Sequence, residues 1–185
     1  MMNELQAWEN LRKGSEAAFS LIYRRHAPLM LRYGHKLSND SDIVRDSVQQ
    51  VYLNVWNSRE RLGTPVCVRT YLLKALRREL AKRQTHLAFP LPEEHLLPSE
   101  PPYEATLIIE QMQEQTQHVV RALLSQLLER QREAIFLRYF ADLNAKEIAQ
   151  IMGIDQTSVY KLIYKALDNL NSYMNKSKLM FNVSI

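Results

Sequence analysis

The side chains with chemical reach in this chain are cations, hydroxyls and aromatic rings at helical spacing, and they suit the binding of a polyanion. Between Val66 and His86 stand Arg69, Lys74, Arg77, Arg78, Lys82 and Arg83, with Tyr71 among them and Glu79 as the only acid. Such cations track phosphates, and a ring stacks on an unpaired base. The pattern therefore points to single-stranded or opened nucleic acid. A solvated basic face is the plainer alternative.

A second set follows Asn144. At about 100° per residue, Thr157, Tyr160, Lys161, Tyr164 and Lys165 lie broadly opposite Val159, Ile163, Ala166 and Leu170, with Ser158 at the margin. Just upstream, Ile148, Ala149, Ile151, Gly153 and Ile154 have the spacing of a helix-turn-helix. That motif holds its second helix in a DNA major groove, where N-terminal side chains reach base edges and lysines reach phosphates. A helical hairpin packed only for stability is the alternative.

A third set is less basic. On a helix from Asp42 to Asn57, Val44, Val48, Val51 and Val55 form a core stripe with Tyr52 at its edge. Asp46, Gln49, Leu53 and Trp56 form a second stripe, between about 120° and 200° from Val44. A helix apolar on one side is normally polar on the other. Leu53 beside Asp46 and Gln49 suggests a surface for a protein partner. The alternative is that Leu53 and Trp56 pack on a neighbouring helix.

Catalysis has no comparable constellation. Five His are scattered, Cys67 is the only Cys, and no glycine-rich phosphate loop is present. Enzyme activity, a metal, a cofactor and a small-molecule substrate are therefore not expected. One Cys makes neither an internal disulfide nor a zinc site, and fits a reducing cytoplasm. Met1 to Arg12 lacks the apolar run of a secretory signal, and no stretch approaches the roughly 20 apolar residues of a membrane span. The expectation is a soluble, cytoplasmic protein.

The elements that must carry these sets are helices. With 4 Gly in 185 residues, the chain has few of the turns an all-β fold needs. Pro90, Pro92, Pro98, Pro101 and Pro102 cluster with Glu93, Glu94 and Glu100, which reads as an extended, solvated linker. Residues 1–89 carry +7, residues 90–120 carry −6 and residues 121–185 carry +3. Two basic blocks joined by an acidic one suggest two polyanion-binding modules and a connector.

The fold expected is all-α: two small helical domains joined by a Pro-rich acidic linker, the C-terminal one a helix-turn-helix. The domains span residues 1–86 and 104–175, with a linker at 87–103 and a tail at 176–185. In the first domain, Leu5, Trp8 and Leu11 mark a helix ending at Gly14. Ser15 caps the next, in which Pro28 falls as a kink point, and the last helix runs from about Val66 to His86. In the second, helices are expected over Glu104–Leu128, Arg130–Phe140 (with Ile135 and Tyr139 on one side), Lys146–Met152 and Gln156–Met174. Asn144 with Glu147 forms a capping box, and Asp155 caps the last helix.

Three strings resemble a known family. Val44-Arg45-Asp46-Ser47-Val48-Gln49-Gln50-Val51-Tyr52-Leu53-Asn54-Val55-Trp56 resembles the A-E-D-hydrophobic-V-Q-E-V-F-hydrophobic-x-hydrophobic-W signature of extracytoplasmic-function sigma factors, a branch of the sigma-70 family. Tyr71-Leu72-Leu73-Lys74-Ala75-Leu76-Arg77-Arg78 resembles the family's Y-L-x-x-I-A-R-N. The segment Arg130–Phe140 and the helix-turn-helix after it resemble its promoter-binding domain. The resemblance covers about Ala18 to Leu170, in the family's order and spacing. Departures fall at Arg45, Ser47 and Arg78, and at Tyr160-Lys161-Leu162 in place of K-S-R.

The resemblance implies a transcription initiation factor whose partners are core RNA polymerase and promoter DNA. An anti-sigma factor, membrane-anchored in many relatives, is implied as well. Asp46, Gln49, Gln50 and Leu53 would face polymerase. Arg69, Tyr71, Lys74, Arg77, Arg78, Lys82 and Arg83 would face the opened minus-ten strand. Lys146, Thr157, Ser158, Tyr160, Lys161, Tyr164 and Lys165 would face the minus-thirty-five duplex. The competing reading is a stand-alone helix-turn-helix regulator, which would bind its operator without polymerase.

Overall fold

The computed structural model describes residues 3–87, 124 and 127–182. The described residues form helices, turns and loops, with no strand among them. The chain divides into two compact units, residues 1–100 and 101–185. The expected linker lies outside the described residues apart from Leu87, and so does nearly all of the helix expected over Glu104–Leu128.

In the first unit, α1 spans Glu4–Arg12 and α2 spans Glu16–Leu37. The helix α3 spans Ser41–Asn57, and α4 spans Val68–Leu87 after a single 3₁₀ turn at Arg59–Arg61. Local chemistry sets the starts. Asn3 and Gln6 cap α1 reciprocally, and the Ser15 hydroxyl accepts the N–H of Ala18. Asp40 accepts the N–H groups of Asp42 and Ile43 at 2.9 and 3.0 Å. Gly14, at φ +90°, makes the sharp turn between α1 and α2.

Helix α2 packs on α1, α3 and α4, and α3 packs on α4. Trp8, Leu11, Ile22, Met30, Tyr33, Val44, Leu72, Leu76 and Leu80 are almost wholly withdrawn from water between them. The crossing of α2 and α3 is close: a Cβ at Gly34 would stand 2.5 Å from Val44 Cγ1.

Pro28 lies inside one continuous α2, whose pattern resumes beyond it. Two details depart from expectation. Leu5 is on the rim rather than in the core, at 39% exposure, because Ala7, Trp8 and Leu11 make the buried face of so short a helix. Val66 is fully exposed and precedes α4, which begins at Val68, itself buried.

In the second unit, α5 spans Glu129–Ile135 and runs into a π turn over Phe136–Phe140. Then come α6, Ala145–Met152, and α7, Gln156–Asn182. Leu128 is extended, and its N–H donates to Gln131 Oε1 at 3.2 Å. Leu127, Ala134, Leu137, Leu143, Ile148, Val159 and Ala166 form the core.

The π turn corrects one expectation. Ile135 is buried, but Tyr139 is 58% exposed instead of sharing its side. The Ala141 N–H bonds to the Phe136 carbonyl, an i→i+5 closure that inserts one residue and rotates Tyr139 outward. Helix α7 also continues to Asn182, beyond the expected stop near Met174. No Gly or Pro follows Gly153, so nothing in the segment breaks a helix.

Candidate nucleic-acid interface

Helix α4 carries its basic residues on more than one side. Tyr71, Lys74, Arg78 and Lys82 line a groove of about 500 Å³ between α3 and α4. Its other wall is Val51, Asn54 and Val55 of α3 with Ser58 and Leu62 beyond its end, and Glu79 adds a carboxylate on the α4 side. Spacings of three and four residues put these cations on one strip of the helix. Tyr71 is held from behind by Trp8, edge to face at 5.2 Å. Burial lifts the Tyr71 phenol above its usual range and the charge of Arg78 opposes that, so the ring stays neutral beside a cation.

The other three cations of the sequence-derived set lie elsewhere. Arg69 and Arg83 fall near the helix face that carries Leu72, Leu76 and Leu80, where the helical period places them. Arg69 is close enough to His26 on α2 to act on its charge. Arg83 Nε bonds Glu79 Oε1 at 3.2 Å, and its Nη1 lies 3.7 Å from Asp46 Oδ2. Arg77 is half-buried and already engaged. The seven residues are therefore a groove set of four and a flanking set of three.

The loop beside the groove is tied down by α1. The Trp8 indole N–H donates to the Gly63 carbonyl at 3.0 Å, and Thr64 bonds Glu9, which also pairs with Arg12. Those contacts hold the Glu9 carboxyl below its usual range, the Thr64 hydroxyl foremost. Sequence reasoning missed this clasp. Its only signal was a Trp on a short helix and a loop, Gly63-Thr64-Pro65, with no regular structure of its own.

On α3, Val44, Val48, Val51, Tyr52 and Val55 are all buried, as the stripe requires. Burial pushes the Tyr52 phenol well above its usual range. The second stripe divides. Trp56 packs on Phe19 of α2 at 5.1 Å and carries the Arg59 guanidinium 4.7 Å above its ring. It is therefore a packing residue. Asp46 and Gln49 are exposed, and Leu53 is 45% exposed with no core role. Gln50 is half-buried, and its amide donates to Asn54 at 2.9 Å.

The helix-turn-helix forms as its residues imply. Asn144 accepts the N–H groups of Lys146 and Glu147 at 3.0 Å each, and Glu147 returns a bond to the Asn144 N–H at 2.9 Å. Gly153 turns the chain at φ +66°. Asp155 accepts the Ser158 N–H at 2.9 Å and its hydroxyl at 2.5 Å. These bonds, the hydroxyl's first, lower the Asp155 pKa. Ser158 is thus engaged in the cap, whereas Thr157, Tyr160, Lys161, Tyr164 and Lys165 all face solvent along α7. Lys146 is exposed at the start of α6.

Comparison with known proteins matches both units. Residues 22–86 match the family model "Sigma-70 region 2" and residues 117–170 match "Sigma-70, region 4", which together take in more than half of the chain. No curated protein gives a significant match.

Among solved structures, CnrH in complex with the cytosolic domain of CnrY is similar at TM-score 0.65 and 17% identity, over 94% of this chain and 97% of that one. The sigma factor RpoE in complex with the anti-sigma factor NepR, from Bartonella quintana, is similar at TM-score 0.62 and 18% identity, over 85% and 96%. The PhyRSL–NepR complex from Sphingomonas sp. Fr1 is similar at TM-score 0.59 and 17% identity, over 82% and 86%. At these identities the likeness concerns the fold.

The chain thus carries a region 2 unit as well as a region 4 unit, whereas a helix-turn-helix alone would account only for the second. The chain belongs to the sigma-70 family, as a sigma factor for promoter-specific initiation of transcription.

Proposed function

We propose that three exposed surfaces divide the work of initiation. Asp46, Gln49 and Leu53, with Gln50 at the margin, dock on core polymerase. Tyr71, Lys74, Arg78 and Lys82 take the opened minus-ten strand, the cations on phosphates and the ring against a base. Thr157, Tyr160, Lys161, Tyr164 and Lys165 enter the major groove of the minus-thirty-five element, with Lys146 on its backbone. Arg69 and Arg77 flank the strand site.

The protein is non-catalytic in this reading: opening draws on binding energy, with bases captured as they leave the stack. It acts in the cytoplasm. No helix among the described residues is long and apolar enough to cross a membrane, which is compatible with that site of action. An anti-sigma factor is its regulatory partner, by analogy with RpoE of Bartonella quintana, which is solved with one.

The observation that carries the reading is the alignment of Tyr71, Lys74, Arg78 and Lys82 along one groove, with Asp46, Gln49 and Leu53 exposed on α3. The test is permanganate footprinting of holoenzyme on a promoter found by run-off transcription. Wild type should expose thymines near minus ten without ATP. A Lys74→Ala, Arg78→Ala double variant should bind core within twofold of wild type and lose that reactivity. Full opening by the double variant, or a strict ATP requirement, would overturn the reading.

A further inference from the structure

Arg83 looks from the sequence like one more cation for DNA, but its surroundings are acidic. It is 31% exposed and lies between two carboxylates: Glu79, one turn earlier on α4, and Asp46, across on α3. Glu79 is only 16% exposed, and it accepts the 3.2 Å bond from Arg83 Nε. The Nη1 end then reaches to 3.7 Å from Asp46 Oδ2, while Asp46 itself remains 62% exposed. The guanidinium is planar and presents its donors in a fixed fork, so one residue bonds Glu79 while its Nη1 stays within ion-pair range of Asp46. None of the groove-lining residues is Arg83.

We propose that Arg83 is a positioning residue for the polymerase-facing carboxylate of Asp46, and not a DNA contact. The inference rests on the reading of Asp46 as a polymerase contact. A free Asp on a helix surface samples several rotamers, and a docking partner must fix one of them at an entropic cost. Arg83, fixed by Glu79, tethers one carboxylate oxygen beforehand and leaves the side chain open to a partner. An isolated surface ion pair contributes little. The expected effect on core affinity is accordingly modest, about fivefold, near the upper end for such a pair.

The experiment titrates the full-length protein against purified core polymerase, then titrates the holoenzyme, at saturating core, with a fork-junction promoter at several salt concentrations. Arg83→Gln should weaken core binding by about fivefold. Arg83→Lys should do the same, because a point charge cannot span both carboxylates, whereas a phosphate contact would tolerate it. In an Asp46→Asn background, Arg83→Gln should have no further effect. The salt slope on fork DNA should stay that of wild type, while Lys82→Gln lowers it by about one.

A loss of core affinity under twofold on Arg83→Gln, with Asp46→Asn still impaired, would overturn the positioning role alone. An additive loss in the double variant would mean a general structural effect and would overturn it too. So would a salt slope lowered by about one in Arg83→Gln, which is the mark of a phosphate contact. If Asp46→Asn itself binds core normally, the polymerase reading of Asp46 fails and this inference fails with it.

Discussion

His26 is a titratable residue turned inward, 5% exposed on α2, with Glu4 Oε1 of α1 only 2.5 Å from its Nε2. Burial holds its pKa below the usual histidine value; the Glu4 charge opposes this, and Arg25 and Arg69 add to the lowering. The folded state therefore favours neutral imidazole. The unfolded chain takes up a proton near pH 6.5, so it binds more protons than the native state just below that pH. Stability should be at its full value above about pH 6.5 and fall as pH drops towards the folded pKa. The check is thermal melting of wild type and His26→Gln from about pH 7.5 down to about 5.5. Wild type should lose melting temperature more steeply over that window. Parallel curves would mean that His26 does not titrate on unfolding.

At the scale of elements, the closest packing is where α2 crosses α3. Gly34 is buried and its missing Cβ would overlap Val44, a fully buried residue with no room to yield. Gly34→Ala gains helix propensity, but overpacking of this kind typically costs about 1–3 kcal/mol. The net expectation is a loss of stability, measurable as a lower midpoint in urea, even though the residue touches no proposed binding surface. A midpoint equal to or above that of wild type would show that α3 can shift away at little cost. Caps and turns were legible beforehand because they are short-range: Asn144 with Glu147, Gly153, and Asp155 each bond within four residues. The π turn at Phe136–Phe140 was not, since no residue type in that segment announces an i→i+5 closure.

For the whole molecule, the consequence of two units is that two kinds of DNA should report on two sets of residues. A holoenzyme bound to duplex carrying only the upstream element should be weakened by Lys161→Ala and Lys165→Ala and be indifferent to Lys74→Ala and Arg78→Ala. A fork that presents only the opened minus-ten strand should show the reverse. Within the first pair, loss of a base contact should cost about 1–3 kcal/mol at one position of the element, and loss of a phosphate contact should weaken all sequences alike. Competition titrations with the two DNAs read this directly. Equal responses on both would mean that the surfaces do not divide the promoter between them.

The proline cluster and the charge blocks marked the two units. Periodicity by itself determined the helical class, the valine stripe of α3 and the outward face of α7. Each follows from which residues recur at three and four positions along one helix, and water sorts those faces without reference to any partner element. Motif strings likewise carried the family, because they follow the same backbone order. Tertiary structure alone decided which charges remain available. Seven residues of α4 look equivalent in sequence, yet only four share the groove, because α3 supplies both the opposite wall and the carboxylate that meets Arg83. Trp56 became a packing residue for the same reason: Phe19 arrives from α2. Helical spacing says which way a side chain points, but only the neighbouring helix determines what it meets there.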